Sequence, residues 1–347
     1  MLCNADFNLT YQEMDMPSSR VRAVFVAYSW IINVFNGLLF AFTVYIVVTW
    51  SAKVMGMYKW YIVISISNIV SFLTITATYE VEIFVAYPAT LARGIVDFLQ
   101  IPALAPFLQI VGFSLFEMHV IMTFCRFMFR YAQSTEKERI TKVMSTKYFF
   151  VALLITYCFI ISGNFYYGQC ALQNGRTLQK RIPSDDEEIK NYFMSHVVTN
   201  FRGDAMTPIF EFLLFPMTLV FGGYCTLQCV LFQSNPKNKF SLRTKQMYRL
   251  LIYGLLIEQV AELGWFMLPY LGAAMFLPDS KKAYGIYLVY RVYYTYPTFV
   301  MVFTLTFYKR YRMGVRQISM AVNRAIIGNS TVHPSMYVSQ ISPDGTN

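Results

Sequence analysis

Seven stretches of this 347-residue chain are apolar and long enough to approach the thickness of a bilayer, and nothing else in the sequence limits its possible folds so strongly. A hydrocarbon core of about 30 Å needs roughly 20 helical residues, because each one rises about 1.5 Å. Val24 to Thr49, Trp60 to Thr78 and Tyr148 to Tyr166 carry no charge, and Phe98 to Cys125 carries only Glu117. Ala205 to Phe232 holds Glu211, Leu250 to Leu277 holds Glu258 and Glu262, and Tyr284 to Tyr308 holds Arg291 in a Tyr-rich setting. Lipid offers backbone N–H and C=O groups no partner, so runs of this length without strand-like alternation are expected to be helices. The fold class is all-α membrane protein, a bundle of seven transmembrane helices.

Orientation follows from Lys and Arg in the short connections, since basic residues resist translocation. With the N-terminus outside, eighteen Lys and Arg face the cytoplasm against ten on the other side. The connection from Lys237 to Arg249 argues most sharply, with five basic residues and no acid. The net charge of +10 therefore concentrates on one face and fits attraction to anionic inner-leaflet lipid, with no call for nucleic acid. The expected division is an extracellular tail over 1–23, a seven-helix domain over 24–308 and a cytoplasmic segment over 309–347. The first 20 residues are polar and lack an h-region, so the first span is expected to act as its own targeting signal.

The flanking segments carry a few readable features. Asn8-Leu9-Thr10 is a glycosylation acceptor triplet on the expected outer side. Of six cysteines only Cys3 and Cys170 fall outside, where a bridge could form, and two separate thiols are the equal alternative. The connection from Tyr167 to Asp204 contains Asp185-Asp186-Glu187-Glu188 after Lys180-Arg181. It reads first as solvated surface and second as a lid. Beyond the seventh span, Tyr311, Val315, Ile318 and Val322 recur at helical spacing among Lys309, Arg310, Arg312 and Arg316, which predicts a short amphipathic helix on the inner membrane surface. The polar residues from Ser330 onward are expected to be disordered.

Four short motifs then carry a resemblance. Phe127-Met128-Phe129-Arg130-Tyr131 resembles the Phe-x-Tyr-Arg-Tyr element of nematode serpentine chemoreceptors of the Str superfamily, which includes the Str, Srj, Srd, Srh and Sri families. Lys53-Val54-Met55-Gly56-Met57-Tyr58-Lys59-Trp60 is similar to that group's first inner loop. Ser241-Leu242-Arg243-Thr244-Lys245-Gln246 leading to Gln259 matches the sixth span, and Tyr296-Pro297 followed by Tyr311-Arg312 matches the seventh. Their order agrees along nearly the whole chain. Two departures stand out: no Pro follows Gln259 near Glu262 or Leu263, and Val300-Met301 replaces an Asp-Pro. The resemblance implies a receptor in the ciliary plasma membrane of chemosensory neurons. It would detect a small-molecule odorant or other chemical cue and signal through a heterotrimeric G protein, with arrestin and homo- or hetero-oligomers as further candidate partners.

The residues add their own argument. An arginine at the inner end of a third helix can hold a resting state through polar neighbours and meet a G protein when the sixth helix moves. Arg130 is the first choice and Arg126, one turn earlier, its rival; both also fit headgroup anchors that snorkel. With Tyr131, Lys245, Tyr296 and Pro297 from the matched motifs they make the expected coupling set. Ionisable groups at membrane depth are functional hypotheses by default. Glu258 and Glu262 share a face of the sixth helix, and Arg291 could pair with Glu211, Glu262, Glu80 or Glu82. Tyr287, Tyr290 and Tyr294 flank Arg291 as a stripe that suits either packing or a pocket. The expected ligand set is thus Glu211, Glu262, Tyr287, Tyr290, Arg291 and Tyr294, in a cavity bounded by helices three, five, six and seven. Pro208, Pro216, Pro269 and Pro297 should kink their helices.

Enzyme readings find no support: His119, His196 and His333 lie far apart in the chain, and no zinc pattern, P-loop or nucleophile motif occurs. No cofactor and no metal are expected. A ligand-gated channel or transporter lined by Glu117, Glu258, Glu262 and Arg291 is the alternative, disfavoured by the odd number of spans.

Overall fold

The computed structural model describes residues 18–51, 55–80, 82–84, 89–99, 101, 103–181, 187–199, 206–235 and 241–327. Span one is α1 (Ser19–Trp50), span two α2 (Tyr58–Thr78), and a hairpin of β1 (Glu82–Phe84) and β2 (Ala89–Ala92) follows. After the short α3 (Ile95–Leu99), span three is α4 (Leu104–Ser134), then α5 (Glu138–Met144) leads to span four, α6 (Lys147–Arg181). The next connection forms α7 (Glu187–Met194) and β3 (Val197–Thr199), and span five is α8 (Met206–Ser234). Span six runs as α9 (Leu242–Glu262), a π-helical turn (Leu263–Met267) and α10 (Leu268–Phe276). Span seven divides into α11 (Asp279–Tyr293) and α12 (Tyr296–Phe307), and α13 (Lys309–Ile327) closes the described chain.

Among the described residues, α1, α2, α4 and α6 are long and apolar enough to cross a membrane. The surface of α1 is inverted relative to a water-soluble helix. On α1 the buried face is Ser29, Asn33, Asn36 and Thr43 with Ile46 and Val47, while Val24, Ile31, Val34 and Leu38 are exposed. Lipid is as apolar as leucine, so hydrophobicity alone gives no preference for the interior, and interhelical contact is left to packing and hydrogen bonds. Span four follows the same logic, with Val151, Leu154, Ile155 and Phe159 all exposed. The interior centres on span three, whose buried Met118, Met122, Cys125 and Phe129 pack with Ile62, Ile66 and Ile69 of span two and Tyr293, Tyr296 and Met301 of span seven.

One end of the bundle carries a sheet. β1, β2 and β3 form an antiparallel three-stranded sheet in that order, with Ile83 opposite Thr90 and Leu91 opposite Val198. Thr199 Oγ1 lies 2.9 Å from Gln109 Oε1 of span three and 3.2 Å from the Thr90 carbonyl, which fastens the sheet to the bundle. Gly94 (φ +61°) makes the turn back from β2, where a Cβ would press on the Thr78 carbonyl. The connection expected from Tyr167 onward as solvated surface is therefore different in its first part. The helix continues to Arg181 because Cys170, Ala171, Asn174 and Leu178 give it a buried face, and Gly175 lets it approach the Val198 backbone. Gln179 Nε2 then donates to the carbonyls of Phe193 (2.7 Å) and His196 (3.0 Å). Asp185 and Asp186 lie outside the described residues, as does everything from residue 328 onward.

Candidate functional site

Of the spans expected to kink at proline, span seven is interrupted at Tyr294–Thr295 and span six passes through a π-turn, and the two irregularities face each other. Pro269 is the second residue of α10 and Pro297 the second of α12, so each sits just after its discontinuity, where a missing N–H costs least. Trp265 Nε1 donates to Thr295 Oγ1 (2.8 Å) and Tyr293 Oη to the Phe266 carbonyl (2.8 Å), joining the π-turn of span six to the gap in span seven. π-turns free backbone carbonyls, and here a tyrosine takes one of them. From span one, Asn36 Nδ2 donates to the Tyr294 carbonyl (2.9 Å) while its Oδ1 accepts from Thr298 Oγ1 (2.5 Å), so a single amide grips both sides of the gap.

Directly beneath lies a buried polar centre. Glu262 Oε1 accepts from Tyr296 Oη (3.1 Å) and Thr123 Oγ1 (3.4 Å) and stands 3.4 Å from His119 Nε2. The other ring nitrogen of His119 lies 2.9 Å from the Ser65 carbonyl and 3.2 Å from Ser65 Oγ. The chain thus brings spans two, three, six and seven together on one carboxylate. Glu262, expected in a ligand set with Arg291, is committed instead to this centre. Sequence reading dismissed His119 as a metal ligand and missed it as Glu262's partner; an ionisable residue at membrane depth was the available signal.

One turn further along span six, Glu258 forms an ion pair with Arg126 of span three, both side chains 5% exposed or less. Arg130, the first choice for the lock, holds no carboxylate among the described residues. Its guanidinium lies 3.4 Å from the centroid of the Tyr58 ring, and Nη1 donates to Gln133 (2.9 Å). The carboxylate partner therefore belongs to the rival, Arg126, because the helical rotation that buries Glu258 aims it one turn up span three. Tyr131 is half-buried and its hydroxyl accepts from Lys137 Nζ (2.6 Å), a bond that raises the lysine's pKa above its ordinary value. Gln259, from the matched sixth-span motif, donates to the Thr218 (3.2 Å) and Leu219 (3.1 Å) carbonyls of span five, in space that Gly222 leaves clear.

Toward the sheet-bearing end, Arg291 is only 5% exposed, although isolated charge at such depth costs on the order of 3 kcal/mol on insertion scales. Its Nη1 donates to Ser29 Oγ (2.9 Å), and the guanidinium lies 4.5 Å and 5.9 Å from the ring centroids of Tyr287 and Tyr294. Of its expected carboxylate partners, Glu262 is engaged elsewhere, Glu80 makes no ion pair with it, and the side chains of Glu82 and Glu211 lie outside the described residues. Phe25 of span one meets Tyr287 edge-on, so with Ser29 this group faces span one. Tyr290 is half-buried against Tyr293. A second carboxylate, Glu117, accepts from Asn164 Nδ2 of span four (3.0 Å), which also reaches Ser114 Oγ (3.0 Å).

Of the remaining expected positions, Lys245 lies on α9 with its side chain outside the described set, and Asn8 and Cys3 lie outside it altogether. Cys170 is buried and disulfide-bonded, while Cys125, Cys158, Cys225 and Cys229 are free. On α13, Tyr311 and Gly314 are buried: Tyr311 Oη lies 2.9 Å from Ser51 Oγ, and Gly314 sits against Trp50.

The family model described as serpentine type 7TM GPCR chemoreceptor Srh matches residues 22–321, which takes in every span and most of α13. No curated protein matches the chain by sequence. It names a receptor family and not a family of enzymes, and it selects Srh from the families the motifs resembled. A match of that extent, over a helical bundle whose buried polar contacts tie spans one, two, three, six and seven together, places this multi-pass membrane protein in the serpentine seven-transmembrane chemoreceptor family Srh.

Proposed function

We propose that this receptor binds an external small molecule in the half of the bundle beneath the sheet and signals to a heterotrimeric G protein at the opposite end. The sheet end faces outward and α13 lies cytoplasmic, as the basic residues argue. The observation that carries the reading is the buried Arg126–Glu258 pair, which joins span three to span six below the facing irregularities of spans six and seven. Such a pair is a two-state element: intact, it holds span six against span three, and opened, it frees the inner end of span six to move. Arg130 and Tyr131 lie at the inner end of span three, before Lys137, and Lys245 opens span six on the same side. A ligand biases the switch by binding one arrangement of the hinge zone better than the other, and only that difference counts. Exposed Lys309, Arg310, Arg312 and Arg316 on α13 suit anionic lipid at about 1 kcal/mol per basic residue near the surface. We place the receptor in the ciliary membrane of chemosensory neurons on the family's character. The Cys170 bridge reaches Cys3 in this reading.

The test is a recording of calcium or cAMP in cells supplied with a promiscuous G protein, against a panel of volatile and water-soluble chemicals. Response in the parent and its loss in Arg130→Ala at equal surface level supports coupling through the inner end of span three. Currents that persist without any G protein would instead favour the channel reading.

A further inference from the structure

We propose that Arg291, held between Tyr287 and Tyr294, is an oxyanion site, and that the cue carries an acidic group there, a carboxylate in the simplest case. This rests on the receptor reading above and goes further by naming the ligand's chemistry.

Among the described residues three arginines are buried in the interior, and they differ in what faces the guanidinium: Arg130 rests on the Tyr58 ring and Gln133 at the inner end of span three. Arg126 has Glu258. Arg291 is buried as well, yet its hydrogen bonds go to the neutral hydroxyls of Ser29 and Tyr294, and it makes no ion pair with a described carboxylate. Its Nε is buried without any hydrogen-bond partner. Burial without a counter-ion strengthens a charge's pull on whatever anion can reach it, because little water screens it. Two nearby features temper the charge without neutralising it. The tyrosine ring faces stabilise the cation, and Arg291 occupies the last turn of α11, where the helix end is partially negative. Neither supplies an acceptor for Nε.

The planar fork of the guanidinium matches a carboxylate or phosphate in bidentate fashion. The flanking Tyr287 and Tyr294 present aromatic surface on either side, so an acid with an apolar body fits better than a small inorganic ion. The position also explains how occupancy would be felt. Tyr294 closes the upper side of the gap in span seven, and its carbonyl is the one gripped by Asn36. An anion drawing Arg291 toward itself therefore acts on the residue next to the hinge. A phospholipid phosphate offers the same chemistry as an external acid, so the two sources must be separated.

The full-length receptor in nanodiscs is the material for the test. Thermal stabilisation is measured with short straight-chain and aromatic carboxylates, each beside its methyl ester, for the parent, Arg291→Gln and Arg291→Lys. Phospholipid carried through purification is identified by mass spectrometry, and the same compounds are applied to receptor-expressing cells. The expected result is stabilisation by acids over their esters, with acids bound about 10- to 100-fold more weakly by Arg291→Gln. Arg291→Lys keeps part of the preference, which a merely damaged fold would not. Equal effects of acid and ester on the parent overturn the proposal. A phospholipid held by the parent and lost in Arg291→Gln, with no response to acids, gives the site to lipid and overturns its assignment to the cue. Acid binding without any G-protein signal leaves the site standing and removes the receptor mechanism; signalling by neutral compounds alone does the reverse.

Discussion

Replacing Glu258 by Gln tests the three-to-six lock most directly. The substitution is nearly isosteric and keeps one hydrogen bond to Arg126, so it removes charge while changing the packing little. The loss is then the difference between a charge-assisted and a neutral hydrogen bond, about 1.4 kcal/mol. That is a factor of ten in the equilibrium between locked and open arrangements. With about 1% of unliganded receptors open, the variant holds about 9% open. Basal G-protein signalling, read as cAMP and normalised to surface epitope, should rise by nearly that factor. Glu258→Ala removes the hydrogen bond too and should raise it further, while the swap of Arg126→Glu with Glu258→Arg should bring it back toward the parent. The swap guards against misfolding, which lowers signal and is not rescued by exchanging charges. Unchanged or reduced basal signalling in Glu258→Gln at full surface level would refute the reasoning, because the pair would then be present in both states.

Three further outcomes are expected. Asn36→Ala loses two hydrogen bonds, one of them buried, and leaves the Tyr294 carbonyl without that partner, so the melting point of the detergent-solubilised receptor should fall, by an amount equivalent to about 1–3 kcal/mol. Peptide mass spectrometry without reductant should recover Cys170 linked to Cys3, and Cys170→Ala should reduce surface delivery; recovery of both as free thiols would end that pairing. Asn8→Gln should abolish a glycosidase-sensitive gel shift, and a parent protein without such a shift would remove the expected glycan.

How much of this could be read from the residues depends on the range of the physics involved. The requirement for about 20 apolar residues per crossing acts locally, so the spans were legible to within several residues at most of their ends. Spans three and six extend further at their inner ends, to Ser134 and from Leu242, and span four departs most, because no proline lies between Tyr166 and Arg181 and the cap that covers its extension comes from β3 and the connection before it. The pairing of Arg126 with Glu258 was not legible. It joins residues far apart in the chain, and a small rotation of either helix would have offered Arg130 instead. Pro297 announced a disturbance in span seven and Pro269 one in span six, whereas the π-helical form that span six takes between Leu263 and Met267 had no mark of its own. The Arg291 setting was half legible, its tyrosines from spacing and its orientation toward span one only from the fold.

The grip of Asn36 on both sides of the gap has a mechanical meaning. A broken helix hinges freely when its lost backbone hydrogen bonds go unreplaced, and its two halves then move independently. Here the replacements come from a neighbouring helix, so the stiffness of the joint in span seven is set by the rotation and depth of span one. Span one thereby acts as a stator, and any substitution that turns or slides it retunes the joint without touching ligand or G protein.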